Sequence, residues 1–193
     1  MSQGAKEYQD VRAAALYLKK NISRVGIWGI SYGGLNTLQA VTRDPQLFAA
    51  GVSGAGIFNW ISELRYFTDT GASTYHLDLQ PPLPNHWRAL TVGPLPHLAG
   101  PGWAADVHSR LDLVFSSSPV AHVSNRTSPL LLIQGDADEE VSFEETVGCV
   151  RALRSFGIDP ETLVIPDESH GIGAYTNQLV AHEAMASFFE QHL

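Results

Sequence analysis

Apolar positions along the chain alternate between two spacings. From Ala5 to Lys20 they fall on Val11, Ala14, Ala15 and Leu18, the rhythm of a helix with one buried side. Val25-Gly26-Ile27-Trp28 breaks that rhythm with a short continuous apolar run, as a strand covered on both faces does. Leu35, Leu38 and Val41 restore helical spacing until Asp44-Pro45 stops it. Ala49 to Ala55 reads as a second strand, thinned by Gly51 and Gly54. Farther on, Pro129 to Gly135 predicts a third strand, Ser142 to Arg154 a helix closed by Gly157, and Thr162 to Pro166 a fourth strand. A last helix buries Leu179, Met185, Phe188 and Phe189. Strands and helices in alternation specify a mostly parallel sheet with helices on both faces.

Residues 57–127 follow neither spacing. Pro81, Pro82, Pro84, Pro94, Pro96 and Pro101 interleave with glycines there, so the stretch reads as an irregular insertion or a lid within one domain. Ile57 to Phe67 is the exception, a short helix under the rim of the sheet. His76, His86, His97, His108 and His122 fall in this stretch at spacings that match no zinc motif, and read as solvated loop histidines.

Chemistry enters where the first strand meets its helix. Gly29-Ile30-Ser31-Tyr32-Gly33 places a serine on a sharp strand-to-helix turn, the setting of an exposed nucleophile. The positions two before and two after such a serine lie against neighbouring chain, which Gly29 and Gly33 accommodate, and Gly34 lets the helix pack close. The Tyr32 N–H then lies at a helix N-terminus, suited to an oxyanion. A serine of this kind needs a histidine base and a carboxylate that orients it. The third strand empties into Asp136-Ala137-Asp138-Glu139-Glu140 and the fourth into Asp167-Glu168-Ser169-His170-Gly171. Loops leaving the carboxyl ends of parallel strands converge, so Ser31, an acid at 136 or 138, and His170 meet on one rim. The order Ser, Asp, His is that of α/β-hydrolases.

Arg24 to Gly34, Leu130 to Val141 and Asp167 to Gly171 together resemble the catalytic domain of the prolyl oligopeptidase family of serine peptidases. The resemblance covers most of 11–55 and 116–193. It implies an α/β-hydrolase fold, cleavage of peptide bonds through an acyl-enzyme on Ser31, His170 as base, and Asp138, not Asp136, as the acid. It also implies that Tyr32 and Trp60 line the pocket for the residue before the scissile bond. Glu140 stands near substrate where family members often carry Asn or Arg. No metal or organic cofactor is required. A carboxylesterase or thioesterase would share the three catalytic residues and differ in the pocket.

About 24 residues precede the first strand, and no earlier strand fits among them. Residues 1–193 are therefore expected to form a partial α/β-hydrolase domain lacking the N-terminal strands, with the first strand as an exposed edge available for pairing with another chain. An inactive fragment acting through that edge is the third functional reading.

Composition narrows the partners. Of the 193 residues, 44% are hydrophobic and 17% charged, enough for one domain with a sizeable core. A net charge of -8 argues against nucleic acid and anionic membranes, and no apolar stretch is long enough to span a bilayer. The single cysteine, Cys149, falls inside a predicted helix and reads as a buried structural thiol in a cytoplasmic protein. Asn125-Arg126-Thr127 fits a glycosylation sequon formally and reads as loop.

Overall fold

A computed structural model of the chain describes residues 6–63, 112–124 and 126–193. Four strands, β1 (Gly26–Ile30), β2 (Ala50–Gly54), β3 (Leu130–Gly135) and β4 (Glu161–Ile165), form one parallel sheet in the order β1-β2-β3-β4. Helix α1 (Lys6–Leu18) precedes β1, α2 (Tyr32–Arg43) links β1 to β2, α3 (Phe143–Ser155) links β3 to β4, and α4 (Tyr175–His192) ends the chain. The register pairs Ile30 with Gly54, Gly54 with Ile133, and Gly135 with Ile165. The carboxyl ends of all four strands therefore lie on one rim.

Strand β3 has no polar alternation because neither of its faces meets water. Leu130 and Leu132 pack with Leu38 and Val41 of α2 and with Cys149 and Leu153 of α3. Leu131 and Ile133 point the other way, into a cluster with Val52, Ile165, Ala181 and Phe188 that α4 covers. A strand buried on both sides is apolar wherever a side chain has no hydrogen-bond partner, which is why the continuous run Leu130 to Ile133 marked it in the sequence. Cys149 is buried in the first of these clusters.

Two helical faces differ from the expected ones. In α1 the buried positions are Tyr8 and Ala15, with Val11 half-buried, whereas Ala14 and Leu18 face solvent. Tyr8 turns the helix by donating its hydroxyl to Asp44 at the end of α2, an acid that Arg12 also reaches at 3.4 Å. In α4 the buried positions are Ala181 and Phe188, and Leu179 is exposed. Leu179 and Phe188 are nine residues apart, which places them on opposite sides of a helix.

The two described ends of the 57–127 stretch belong to the core. The helix expected over 57–67 starts later than expected, because residues 57–59 are irregular and 60–63 form a helical turn in which Trp60 and Glu63 are buried, while 64–67 lie outside the described residues. Residues 112–116 are helical, and Pro119–His122 forms a 3-10 turn whose His122 Nε2 bonds the Ser116 carbonyl at 2.8 Å. His122 is thus a half-buried, bonded side chain and not a solvated one. His76, His86, His97, His108 and Asn125 lie outside the described residues.

Among the described residues β1 has a neighbour on one side only, β2. Trp28 and Ile30, which point toward the α4 face, are 56% and 52% exposed. No helix among the described residues is long and apolar enough to cross a membrane.

Candidate active site

The turn from β1 into α2 is built around Ser31, which holds φ 58 and ψ -120. A β-carbon makes that backbone costly, and only the surrounding structure sustains it. The Ser31 N–H donates to the Gly54 carbonyl at 2.8 Å, and the Ser31 carbonyl accepts the first helical bond, from Leu35, at 2.9 Å. The turn is also closed sterically. A β-carbon on Gly29 would lie 2.5 Å from the Gly33 carbonyl carbon, so nothing larger than glycine fits at 29. The expectation that Gly33 needs the same allowance does not hold, because a β-carbon there would meet nothing within 4 Å. It is the Gly33 backbone that crowds Gly29. Tyr32 is the first residue of α2, so its N–H points out of the helix N-terminus beside Ser31.

Two loops converge on the same rim from β3 and β4. Asp136 Oδ1 accepts the Asp167 N–H at 2.7 Å, and the Ala137 N–H donates to the Glu168 carbonyl at 3.1 Å. Beyond these two rungs, His170 Nδ1 lies 2.9 Å from Asp138 Oδ2. Asp136 and Asp138 thus divide the work that the residues alone left open between them. The first holds the neighbouring loop's backbone, and the second faces the imidazole.

Asp138 is fully enclosed and well supplied with donors. Its Oδ1 accepts the N–H groups of Glu140 and Val141, each at 2.9 Å, and its Oδ2 also accepts Gln134 Nε2 at 3.1 Å. Burial pushes its carboxyl up, but the bonds from His170, Val141 and Glu140 outweigh that and hold it below the usual carboxylate range. Gln134 is fixed in turn by Thr146, whose hydroxyl donates to Gln134 Oε1 at 2.6 Å, and by the Val141 carbonyl at 2.9 Å. The sequence reading missed this support. Its one visible signal was a glutamine in the otherwise apolar run Leu130-Leu131-Leu132-Ile133-Gln134.

His170 sits between two carboxylates. With Asp138 on Nδ1, the neutral ring carries its proton there and presents the Nε2 lone pair outward. Glu140 Oε2 stands 3.9 Å from that Nε2. The bond to Asp138 raises the proton affinity of the imidazole, burial lowers it, and the charges of Asp138 and Glu140 raise it further, leaving it above the ordinary histidine value. The two loop acids nearest in sequence point elsewhere. Asp167 contributes its backbone, and the Glu168 carboxylate accepts Gly173 N–H at 2.6 Å, Asn177 Nδ2 at 2.7 Å and Ala174 N–H at 3.1 Å. That clamp spans His170 and ties its loop to the start of α4.

The remaining site residues lie beside Ser31. The rings of Tyr32 and Trp60 are 6.4 Å apart at 51°, forming a tilted aromatic wall. Trp60 is buried with Leu35, Ile57 and Val141. Among the described residues the Ser31 hydroxyl makes no hydrogen bond to His170, so the serine and the histidine–aspartate pair share a rim without being joined. A mostly apolar cavity of about 270 Å³ reaches His170 from the α4 face, lined by Trp28, Ile30, Val52, Ile133 and Met185 among others.

Comparison with known proteins agrees with this architecture. The sequence profile of the prolyl oligopeptidase family matches residues 1–85 and 102–193. Dipeptidyl peptidase family member 6 of Caenorhabditis elegans is 32% identical over 173 residues, which are 90% of this chain and 21% of that protein. Acylaminoacyl peptidase from Pyrococcus horikoshii superposes with a TM-score of 0.69 at 23% identity, over 99% of this chain and 28% of that one. A puromycin-hydrolyzing peptidase of Mycobacterium tuberculosis superposes with a TM-score of 0.69 at 27% identity, over 100% of this chain and 26% of that one. The chain therefore spans about a fifth to a quarter of the length of these relatives, and its parallel sheet with flanking helices is part of an α/β-hydrolase fold. By the breadth of the profile match and the elements it covers, the chain belongs to the prolyl oligopeptidase family.

Proposed function

We propose that the chain carries the catalytic centre of a serine-type peptidase, with Ser31 as nucleophile, His170 as base and Asp138 as the acid that orients it. The observation that carries this reading is the 2.9 Å contact between His170 Nδ1 and Asp138 Oδ2, placed on the rim where the strained turn presents Ser31. In the reaction, His170 Nε2 takes the Ser31 proton as the oxygen bonds the scissile carbonyl carbon. The Tyr32 N–H stabilises the resulting oxyanion. Collapse breaks the C–N bond, and His170 returns the proton to the departing amine, leaving an acyl-serine. Water then repeats the attack with His170 again as base, releasing the acid and restoring Ser31. Asp138 stays ionised throughout and stabilises the imidazolium. Tyr32 and Trp60 line the pocket for the residue before the scissile bond, and Glu140 faces the substrate beside them. No step calls for a metal or an organic cofactor. An acidic chain with one buried thiol suits a reducing compartment, and we place it in the cytoplasm.

The exposed flank of β1, with Trp28 and Ile30, supports a second element of the proposal: a strand from another chain pairs there. Hydrolysis of a panel of fluorogenic peptide amides and p-nitrophenyl esters by wild type and Ser31→Ala tests the main reading. Amide turnover that vanishes in Ser31→Ala is expected. Ester turnover alone would assign an esterase, and activity unaffected by the substitution would refute the nucleophile.

A further inference from the structure

Two buried carboxyls behind the rim take no part in acyl transfer. Glu63 lies at the described end of the segment that follows β2 and is 0% exposed; Glu145 lies in the first turn of α3 and is 2% exposed. Each reaches into the other's element. Glu145 Oε2 accepts the N–H groups of Phe58 at 2.8 Å and Asn59 at 2.6 Å, and its Oε1 accepts the Ser62 hydroxyl. In return Glu63 Oε2 accepts, at 3.4 Å, the N–H of Ser142, the residue that caps α3.

What these bonds connect gives them their importance. The segment held by Glu145 carries Trp60, one side of the aromatic wall. The helix end held by Glu63 follows directly on Asp138, and the intervening Glu140 and Val141 donate their N–H groups to Asp138 Oδ1. A displacement of Ser142 is therefore passed to the carboxylate that orients His170. A displacement of residues 58–62 is passed to the pocket.

The charge state of the pair follows from its surroundings. Among the described residues no cation pairs with either carboxyl, and Glu63 Oε1 is buried without a hydrogen-bond partner. Glu63 faces Glu145 from α3 and Asp138 from the loop after β3, while Glu145 is additionally exposed to the charge of Glu144 and has the Cys149 thiol one turn along its helix. Every titratable neighbour among the described residues is an acid. Among the described residues a second negative charge in this space meets no cation, so the neutral form of one carboxyl is favoured.

We propose that Glu63 and Glu145 are positioning residues, a reciprocal clasp that keeps the Trp60 wall and the Asp138 loop in register and that stays closed while Glu63 holds its proton. Burial first, then the charge of Glu145, push Glu63 up to about 8, against a smaller opposing pull from the Ser142 bond. Above that pH the pair carries two charges and repels, and the clasp opens. The inference rests on the peptidase reading of the same rim for its kinetic consequence but not for its existence.

Two readouts keep the two apart. The first is the pH titration from 6 to 9.5 of Trp60 emission, obtained by subtracting the Trp60→Phe spectrum, which needs no activity. An inflection near pH 8 in the wild type that is absent in Glu63→Gln is expected, because glutamine mimics the neutral acid and does not ionise. The second is peptide hydrolysis over the same range. In the wild type KM is expected to rise about tenfold across pH 8, the loss of one buried hydrogen bond. Glu63→Gln is expected to keep its pH 7 value of KM across the range, whereas Glu63→Ala raises KM at every pH. Should Glu63→Ala not fold, the comparison of wild type with Glu63→Gln decides alone. An inflection near pH 8 that survives in Glu63→Gln, or no inflection in the wild type, overturns the clasp. A protein that shows the emission change but hydrolyses nothing refutes the peptidase reading and leaves the clasp standing.

Discussion

Gly135→Ala is the sharpest steric test of how His170 is placed. Gly135 ends β3, and a β-carbon there would lie 2.0 Å from the Glu168 carbonyl oxygen and 2.6 Å from its carbon. An ordinary contact of about 3.4 Å needs roughly a further 1.4 Å, and both partners are backbone, so the loops after β3 and β4 must part by an ångström or more. The loops are joined by the Asp136–Asp167 bond at 2.7 Å, the Ala137–Glu168 bond at 3.1 Å and the His170–Asp138 contact at 2.9 Å. Lengthening the last by about 1 Å takes it beyond hydrogen-bond range. Misplacement on that scale costs on the order of a hundredfold in turnover, and overpacking of this kind costs about 1–3 kcal/mol of stability. Peptide hydrolysis and thermal unfolding, measured together at a temperature where the variant is folded, separate the two effects. Gly171→Ala is the control, because a β-carbon there meets nothing within 4 Å in the same loop. A Gly135→Ala protein with turnover within threefold of wild type would refute the idea that this backbone approach sets the imidazole.

Asp138→Asn is expected to lower turnover by about 10³–10⁴-fold with little change in KM, since the amide favours the wrong ring tautomer; stopped-flow acylation with an activated ester reads the step directly. In the proposed mechanism catalysis needs neutral His170, whose proton affinity is raised by Asp138 and Glu140, so the acid limb of kcat/KM should lie above the usual histidine range. Glu140→Gln should move that limb to lower pH, and an unmoved limb would remove Glu140 from the electrostatics of the site. The buried Glu63 makes folding pH-dependent with a definite sign. Its folded-state value near 8 exceeds the unfolded one of about 4.5, so its contribution is fully present below about pH 4.5 and is lost as pH rises through 8. The slope is about 1.4 kcal/mol per pH unit over that window, with a ceiling of about 5 kcal/mol, and urea unfolding of wild type against Glu63→Gln should show it as a difference that grows with pH.

How far the fold and the site can be read from residues depends on the range of the interactions that decide each. The strands were legible because burial on both faces leaves a local mark, and Leu130 to Ile133 carry it without ambiguity. The turn at Ser31 was legible for the same reason: Gly29 is required by a clash four residues away. Helical faces were harder. Leu179 and Leu18 are apolar but exposed, because which stripe is buried depends on what the helix meets, here Phe188 against β4 and Tyr8 against Asp44. The acid was ambiguous between Asp136 and Asp138 on chemistry alone, since the distinction is one of direction across two loops, and it was the family likeness that favoured Asp138. Gln134, Thr146, Glu63, Glu145 and Glu168 left almost no sign. A glutamate in the first turn of a helix reads as an ordinary partner of the helix dipole, and only the approach of residues 58–62 from far along the chain makes Glu145 a buried anchor.

We attribute the nucleophilicity of Ser31 to a histidine that Asp138 holds. Reaction with a fluorophosphonate, followed by peptide mass spectrometry to locate the adduct, tests it most directly across wild type, Ser31→Ala, His170→Ala and Asp138→Asn. A single adduct on Ser31 is expected, absent from Ser31→Ala and formed at least about a hundredfold more slowly in the other two variants. An adduct on another residue, or labelling of Ser31 at an undiminished rate without His170, would contradict the account.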